Sequence, residues 1–295
     1  MAELTQFIIT GLAVGMIYAL IGLGFVLIWK SSSVANLALG QLVLVCSWFT
    51  YSMMEQVHLP AYVALPIVIV FAIALGWAIE RFALRPLIGQ PILSLIAVTL
   101  GIAYFLDGVV SSIWPRGTSP FPQIFPQQLI HVGSAVIDVE YIWAAAISLI
   151  VFISLTLFYK YHRLGIAMRA AADDQMAVQA CGIPVTRIFS MSWIFACVVA
   201  AIGGILISST SDFVQYSLVD TGLKSFSVVI LGGLDSFIGS MLAGPIVGLV
   251  QYIGGGFLTP YVWAGLKDIL PFFIIIIVVM VKPFGLFGEK RIERI

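Results

Sequence analysis

Few side chains in this sequence can do chemistry, and most of those stand apart from one another. His58, His131 and His162 fall at the ends of apolar runs or between them, where an imidazole finds water or a hydrogen bond more readily than a metal. Cys46, Cys181 and Cys197 form no spaced pair, so neither a zinc site nor a disulfide framework is indicated. There is no G-x-S-x-G elbow, no H-E-x-x-H helix and no aspartate-rich metal motif. Gly222-Leu223-Lys224-Ser225 lacks the glycine–lysine adjacency that cradles phosphates, so the chain is expected not to hydrolyse ATP. What remains is Asn36 and Gln41, Asp107, Asp235, and a charged stretch, RLGIAMRAAADDQMAVQACGI, over 163–183. Such groups suit charge placement, hydrogen bonding and docking rather than bond cleavage.

The elements that must position these residues follow from composition. Hydrophobic residues make up 61% of the chain and charged residues 9%, against about a quarter charged in soluble domains. The chain therefore reads as membrane-embedded. A net charge of +0 leaves no basic stripe to neutralise phosphates, which argues against nucleic acid as a partner. A bilayer core takes about 20 apolar residues per helix. Runs of that quality cover approximately 5–28, 33–54, 60–79, 91–113, 139–159, 188–210, 225–258 and 262–281. Pro60, Pro91, Pro115, Pro120, Pro122, Pro126, Pro184, Pro260 and Pro283 punctuate the breaks. The expected fold is an all-α polytopic membrane protein, one transmembrane domain over 1–295, with about eight to nine hydrophobic segments. The opening MAELTQF has no basic region and no small-residue cleavage site, so the first run is expected to be a retained span.

Basic residues set the orientation. Arg81 and Arg85 form one group, Lys160, Arg163, Arg169 and Arg187 a second, and Lys282, Lys290, Arg291 and Arg294 a third. All three are expected on the cytoplasmic side, with a cytoplasmic loop over 160–187. The proline-rich loop 114–138, holding Arg116, is expected outside and extended. Three runs separate the second and third groups, and an odd number would put the basic tail outside. One run must therefore be broken or re-entrant. The candidate is 225–258, too long for one helix and interrupted at Gly232, Gly233, Asp235, Ser236 and Gly239. Irregular backbone at membrane depth needs a protein or wet lining. A second weak spot is Asn36-Leu37-Ala38-Leu39-Gly40-Gln41, whose LGQL echoes the LGGL at 231–234. Interrupted segments in corresponding positions of two halves point to a transport pathway.

Asp107 lies about 16 residues into its run, roughly 24 Å at 1.5 Å per residue. That leaves it as a pathway or vestibule carboxylate, or as a solvated helix end near the outer interface. Glu80 is expected to pair with Arg81. Gly11 and Gly15, and Gly244 and Gly248, have the spacing of close helix packing, within the subunit or between subunits.

The 163–183 stretch has its own start and stop. Asp174 is a good N-cap, Gly182 suits the left-handed position after a helix, and Pro184 follows. A helix of about two turns is expected from Gln175 to Cys181, with an exposed side of Ala177, Ala180, Met176, Val178 and Ile183. Arg169 and Asp173, four apart, can tie the preceding turn. The stretch is either an ordinary loop with a helical turn or a docking element for a soluble partner.

Arg163, Gly165, Met168-Arg169-Ala170, Ala177 and Gly182-Ile183 resemble the cytoplasmic signature of branched-chain amino-acid ABC transporter permeases, in particular the shorter of their two membrane subunits. Further along, Ile230-Leu231-Gly232-Gly233-Leu234 with Ser236 and Gly239 resembles that family's G-G-x-G-S-x-x-G segment. Glu80-Arg81 with Arg85-Pro86-Leu87 is similar to its E-R-x-x-x-R-P-L motif, and Lys282 to Gly288 to its R-P-x-G-L-x-G ending. The resemblance covers nearly the whole chain. It implies an importer subunit of the bacterial or archaeal inner membrane with no cofactor of its own. The implied partners are a second homologous permease subunit, two cytoplasmic ATPases that use ATP and Mg, and a periplasmic or surface-tethered substrate-binding protein. It implies that Asp174 to Gly182, with Arg163, Gly165 and Arg169 before it, is the ATPase-coupling element. Asn36, Gly40, Gln41, Asp107, Gly232, Gly233 and Asp235 become candidates for the pathway. Two departures stand out: the family's N-x-A-H-G-E reads N-L-A-L-G-Q here, and a glycine of G-G-x-G-S is Asp235. With two ionisable groups missing, urea, short amides or aromatic and aliphatic carboxylates stay open as cargo beside hydrophobic amino acids, and from the residues alone an ion-coupled secondary carrier is the alternative of a different class.

Overall fold

The computed structural model describes residues 2–288 apart from 33, 115, 116, 127, 133, 134, 260, 264 and 283. Arg116, Pro115, Pro260, Pro283, Lys290, Arg291 and Arg294 thus lie outside the described residues. The chain is helical nearly throughout: α1 (Ala2–Ser32), α2 (Leu39–Tyr51), α3 (Ala61–Ala78), α4 (Ile92–Ile113), α5 (Val139–Tyr161), α6 (Arg163–Asp173), α7 (Gln175–Ala180), α8 (Val185–Ser211), α9 (Val219–Gly232), α10 (Phe237–Leu249), α11 (Gly255–Leu258) and α12 (Leu266–Val281). Widened π turns extend α2 through Gln56, α3 through Leu84, and α10 into α11.

Among the described residues, six helical stretches are long and apolar enough to cross a membrane: Glu3–Ser32, Ala61–Leu87, Ile92–Ile113, Val139–Tyr161, Val185–Ser211 and Phe237–Leu258. The apolar helices α2, α9 and α12, at 13, 14 and 16 residues, are shorter than this. The long run expected over 225–258 does divide, at Gly233–Ser236 between α9 and α10.

Burial separates the helices into a centre and a periphery. In their most apolar stretches α1 is 89% buried and α8 67%, whereas α5 is 17% and α4 22%. A helix that is apolar on every side can hold the middle of such a bundle, because neighbours cover it all round. The two glycine pairs explain how α1 and α10 come so near. A Cβ on Gly15 would lie 2.4 Å from the Gly244 carbonyl oxygen, and one on Gly11 would lie 2.9 Å from that of Gly248. Their function is packing within the subunit.

Most of the described basic residues gather at one end, Lys224 and Lys267 being exceptions. Lys30, at the end of α1, stands over the rings of Tyr159 (end of α5) and Phe237 (start of α10). Glu80 does not pair with Arg81, which is exposed. It is buried and accepts a hydrogen bond from Ser190 on α8. The π turn at Ile79–Leu84 swings it inward, where the hydroxyl replaces part of the lost hydration. At the opposite end, the 114–138 loop is not simply extended. It forms β1 (Ser119–Pro120), β2 (Leu129–Val132) and β3 (Ala135–Asp138), with β4 (Phe213–Val214) following α8. β2 and β3 make an antiparallel hairpin, and β1 pairs with β4. The prolines stop helix without stopping local pairing. Trp114 stacks on Trp48 and donates from Nε1 to Ser52 at 2.6 Å, fixing the end of α4 against α2.

Candidate functional site

Two helices begin only after irregular backbone, and their starts touch. The segment leading to α2 turns at Asn36, which is wholly buried and whose Oδ1 accepts from the Ala38 amide at 3.0 Å. The segment leading to α9 follows β4 through a short turn, Tyr216–Leu218. Gly40 in the first turn of α2 lies against the first turn of α9. A Cβ there would stand 2.4 Å from the Val219 oxygen, and one on Gly222 would stand 2.5 Å from the Gly40 Cα. Only a missing side chain on both allows the approach. Gln41 is half-buried beside it. The LGQL motif thus meets Val219–Gly222, at the start of α9, rather than the LGGL it echoes at the end of that helix. Thr99 on α4 closes the site, with its hydroxyl 3.5 Å from the Leu37 amide.

Asp107, further along α4, accepts a hydrogen bond from the Tyr216 hydroxyl. A groove of about 640 Å³ opens there, lined by Tyr104, Asp107, Gly108, Ser111, Ser112 and Tyr216.

The far end of α9 carries the second set of glycines. Gly233 takes φ of +106°, which L side chains rarely adopt. The chain after α12 folds back onto this turn, with Leu286 donating to the Leu231 carbonyl at 2.8 Å and Phe287 to that of Gly232 at 3.1 Å. A Cβ on Gly233 would stand 2.6 Å from the Gly288 nitrogen. Ser236 then caps α10 by accepting from the Gly239 amide at 2.9 Å, and Asp235 beside it is half-buried. Gly232, Gly233 and Asp235 therefore sit at the basic end, one α9 length from Asn36, Gly40 and Gln41.

The charged stretch forms α6 and α7. Gly165 packs on the end of α5, where a Cβ would fall 2.5 Å from the Tyr159 oxygen. Arg169 donates to the Lys160 carbonyl at 3.0 Å and covers the Tyr159 ring, while Arg163 is exposed. The Asp173 side chain lies outside the described residues. Asp174 caps α7 as expected, its Oδ1 accepting from the Met176 and Ala177 amides at 2.8 and 3.0 Å. Gly182 has φ of +79° and ends it. Met176, Ala177 and Ala180 are exposed, but Val178 is buried and Ile183 half-buried. The expected exposed side is narrower for a simple reason: one face of so short a helix must anchor it to the bundle.

Tyr159 joins this stretch to the α9–α10 turn. Its ring lies 4.5 Å from that of Phe237, one residue past the Ser236 cap. Sequence reasoning missed Tyr159, Thr99, Tyr216 and the ion pair of Lys224 with Asp268 at 2.6 Å. Gly222 and Lys224 were visible only as a failed phosphate loop, and the aromatic residues look like ordinary helix-end aromatics.

Apolar helices of spanning length, two helices that start after irregular backbone, and a capped helix at the basic end define a multi-pass membrane protein. Residues 7–279 match the family described as branched-chain amino acid transport system / permease component, and the chain belongs to that family. It is 28% identical to the high-affinity branched-chain amino acid transport system permease protein LivH of Escherichia coli K12, over 98% of this chain and 97% of the relative. The corresponding protein BraD of Pseudomonas aeruginosa is also 28% identical, with the same coverage. A probable branched-chain amino acid transport permease protein LivH of Methanocaldococcus jannaschii is 25% identical over 94% of this chain and 90% of its own. Among solved structures, a chain of PsaBC from Streptococcus pneumoniae in complex with Fab matches with TM-score 0.51 and 12% identity, covering 96% of this chain and 93% of that one. That likeness concerns the fold alone.

Proposed function

We propose that this chain is the transmembrane permease subunit of an ATP-driven importer of branched-chain or other hydrophobic amino acids. The substrate class is supported by branched-chain amino acid permeases that match this chain nearly end to end. The ATP coupling rests on one observation. A six-residue helix, capped at both ends and exposing Ala177 and Ala180, is tied through Tyr159 and Phe237 to the turn between α9 and α10.

In this reading α7 seats in an ATPase, and Arg163, Gly165, Arg169, Asp174 and Gly182 hold it in place. ATP and Mg belong to two cytoplasmic ATPases, and this chain binds no cofactor. A second, homologous permease subunit faces it across the pathway, and a binding protein delivers cargo on the side of the 114–138 loop. The single permease domain takes nine hydrophobic segments, adding α2, α9 and α12 to the six spanning stretches. The start of α1 is then outside, and the 160–187 loop and the end of α12 are cytoplasmic. Movement of α7 passes through Tyr159 to the α9–α10 turn. From there it travels along α9 to the crossing at Gly40 and Gly222, beside Asn36 and Gln41. Alternating access is the repacking of that crossing.

Replacing Ala177 with arginine tests the coupling, because its bulk and charge conflict with a groove fitted to alanine. The expected result is loss of ATPase co-purification from a protein that still inserts and folds. Full retention of ATPase binding and of ATP-dependent uptake would refute the docking surface.

A further inference from the structure

We infer that Asp107, with Tyr216, receives the ammonium group of a zwitterionic amino acid in the groove on α4, so that this chain itself discriminates amino acids from carboxylates lacking an amine. The inference rests on the permease reading and deepens it.

Asp107 lies some 15 residues along α4 from Ile92, about 22 Å at 1.5 Å per residue. One carboxylate oxygen, Oδ2, accepts from the Tyr216 hydroxyl, while Oδ1 is buried and has no hydrogen-bond donor. Among the described residues no lysine, arginine or histidine forms an ion pair with it; the ion pair present is Lys224 with Asp268. A carboxylate on a spanning helix with no cation beside it among the described residues marks a functional candidate. An arriving ammonium supplies both the missing charge and the missing donor.

The groove also has room and shape for the rest of such a molecule. Its volume, about 640 Å³, is in the range of small-molecule sites, roughly 300–1,000 Å³. Gly108 sits on the groove wall, where a Cβ would meet nothing within 4 Å. A second, more apolar groove of about 410 Å³ adjoins it, sharing Tyr104, Gly108 and Ser112 and adding Phe105, Val109 and Ile113. A charged end at Asp107 and an aliphatic tail along Phe105 and Ile113 is the outline of a branched-chain amino acid. A simple carboxylate would meet repulsion at Asp107 with no ammonium group to offset it. This favours amino acids over the carboxylate cargo that the altered N-L-A-L-G-Q segment had left open.

The test is leucine uptake by the complete transporter in proteoliposomes, at saturating leucine-loaded binding protein. Asp107→Asn is isosteric and still accepts from Tyr216, so a merely structural role tolerates it, whereas a charge role does not. The expected result is a fall of at least tenfold in maximal rate for Asp107→Asn. Asp107→Glu, checked by size exclusion to be intact, should stay within about threefold of wild type. Wild-type rates in Asp107→Asn would overturn the inference, as would equal losses in both variants. A higher binding-protein requirement at unchanged maximal rate would also overturn it, assigning Asp107 to docking of that protein. Absence of leucine uptake by the wild-type complex would instead sink the substrate reading itself.

Discussion

A single methyl group on Gly15 should loosen the centre of this protein. The added Cβ would lie 2.4 Å from the Gly244 oxygen and 2.9 Å from the Pro245 Cα, where atoms pack at about 3.5 Å or more. These are backbone atoms of a facing helix, so no rotamer change relieves the clash. The axes of α1 and α10 must part by about 1 Å. A gap of 0.5–1 Å forfeits roughly a quarter to a half of each contact across it, and overpacking of this kind costs about 1–3 kcal/mol. With roughly 2–4 °C of melting temperature per kcal/mol, Gly15→Ala should melt about 2–12 °C lower. Gly101→Ala is the control, because a Cβ there meets nothing within 4 Å. It gains up to about 1 kcal/mol of helix propensity and should melt no lower than wild type. A thiol-reactive dye reads both, since Cys46 and Cys197 are buried and free. A Cys181→Ala background removes the exposed thiol. An unchanged midpoint for Gly15→Ala, or equal falls for the two variants, would refute the close-crossing account.

Two further outcomes follow from the basic end. Asp174→Ala removes both acceptor bonds that start α7, a loss of about 1 kcal/mol; amide exchange over 176–180 should quicken about fivefold while α1 is unaffected. Gly233→Ala forces a φ of +106° on a side chain that would strike the Gly288 nitrogen. The Phe284–Gly288 segment should detach, and chymotrypsin should cut after Phe284 in the variant but not in wild type.

The helical membrane class was legible because it depends on composition alone: lipid leaves backbone polar groups no partner but the helix itself. The α7 cap was equally legible, since Asp174 bonds to amides two and three residues away. So was the break in 225–258, where glycines and Asp235 interrupt an overlong run and the count of basic ends demands a turn. Glu80 was not. Its neighbour Arg81 offers a pair in sequence, but the π turn sends the two apart and gives Glu80 to Ser190, 110 positions on. Val178 was misjudged because a short helix reveals its buried face only when the surface beneath it is known.

By itself, then, the sequence determined what is local: which segments are apolar enough to leave water, where each helix starts and stops, and which residues carry charge. Only the tertiary structure decided what meets what. Gly15 finds Gly244, Gly40 finds Gly222, and Asp107 finds Tyr216, 109 positions away. In lipid no hydrophobic pattern selects a partner, because tails and leucines are alike to one another. Helix pairing here is settled by close fit between small residues, and fit exists only once both surfaces are in place.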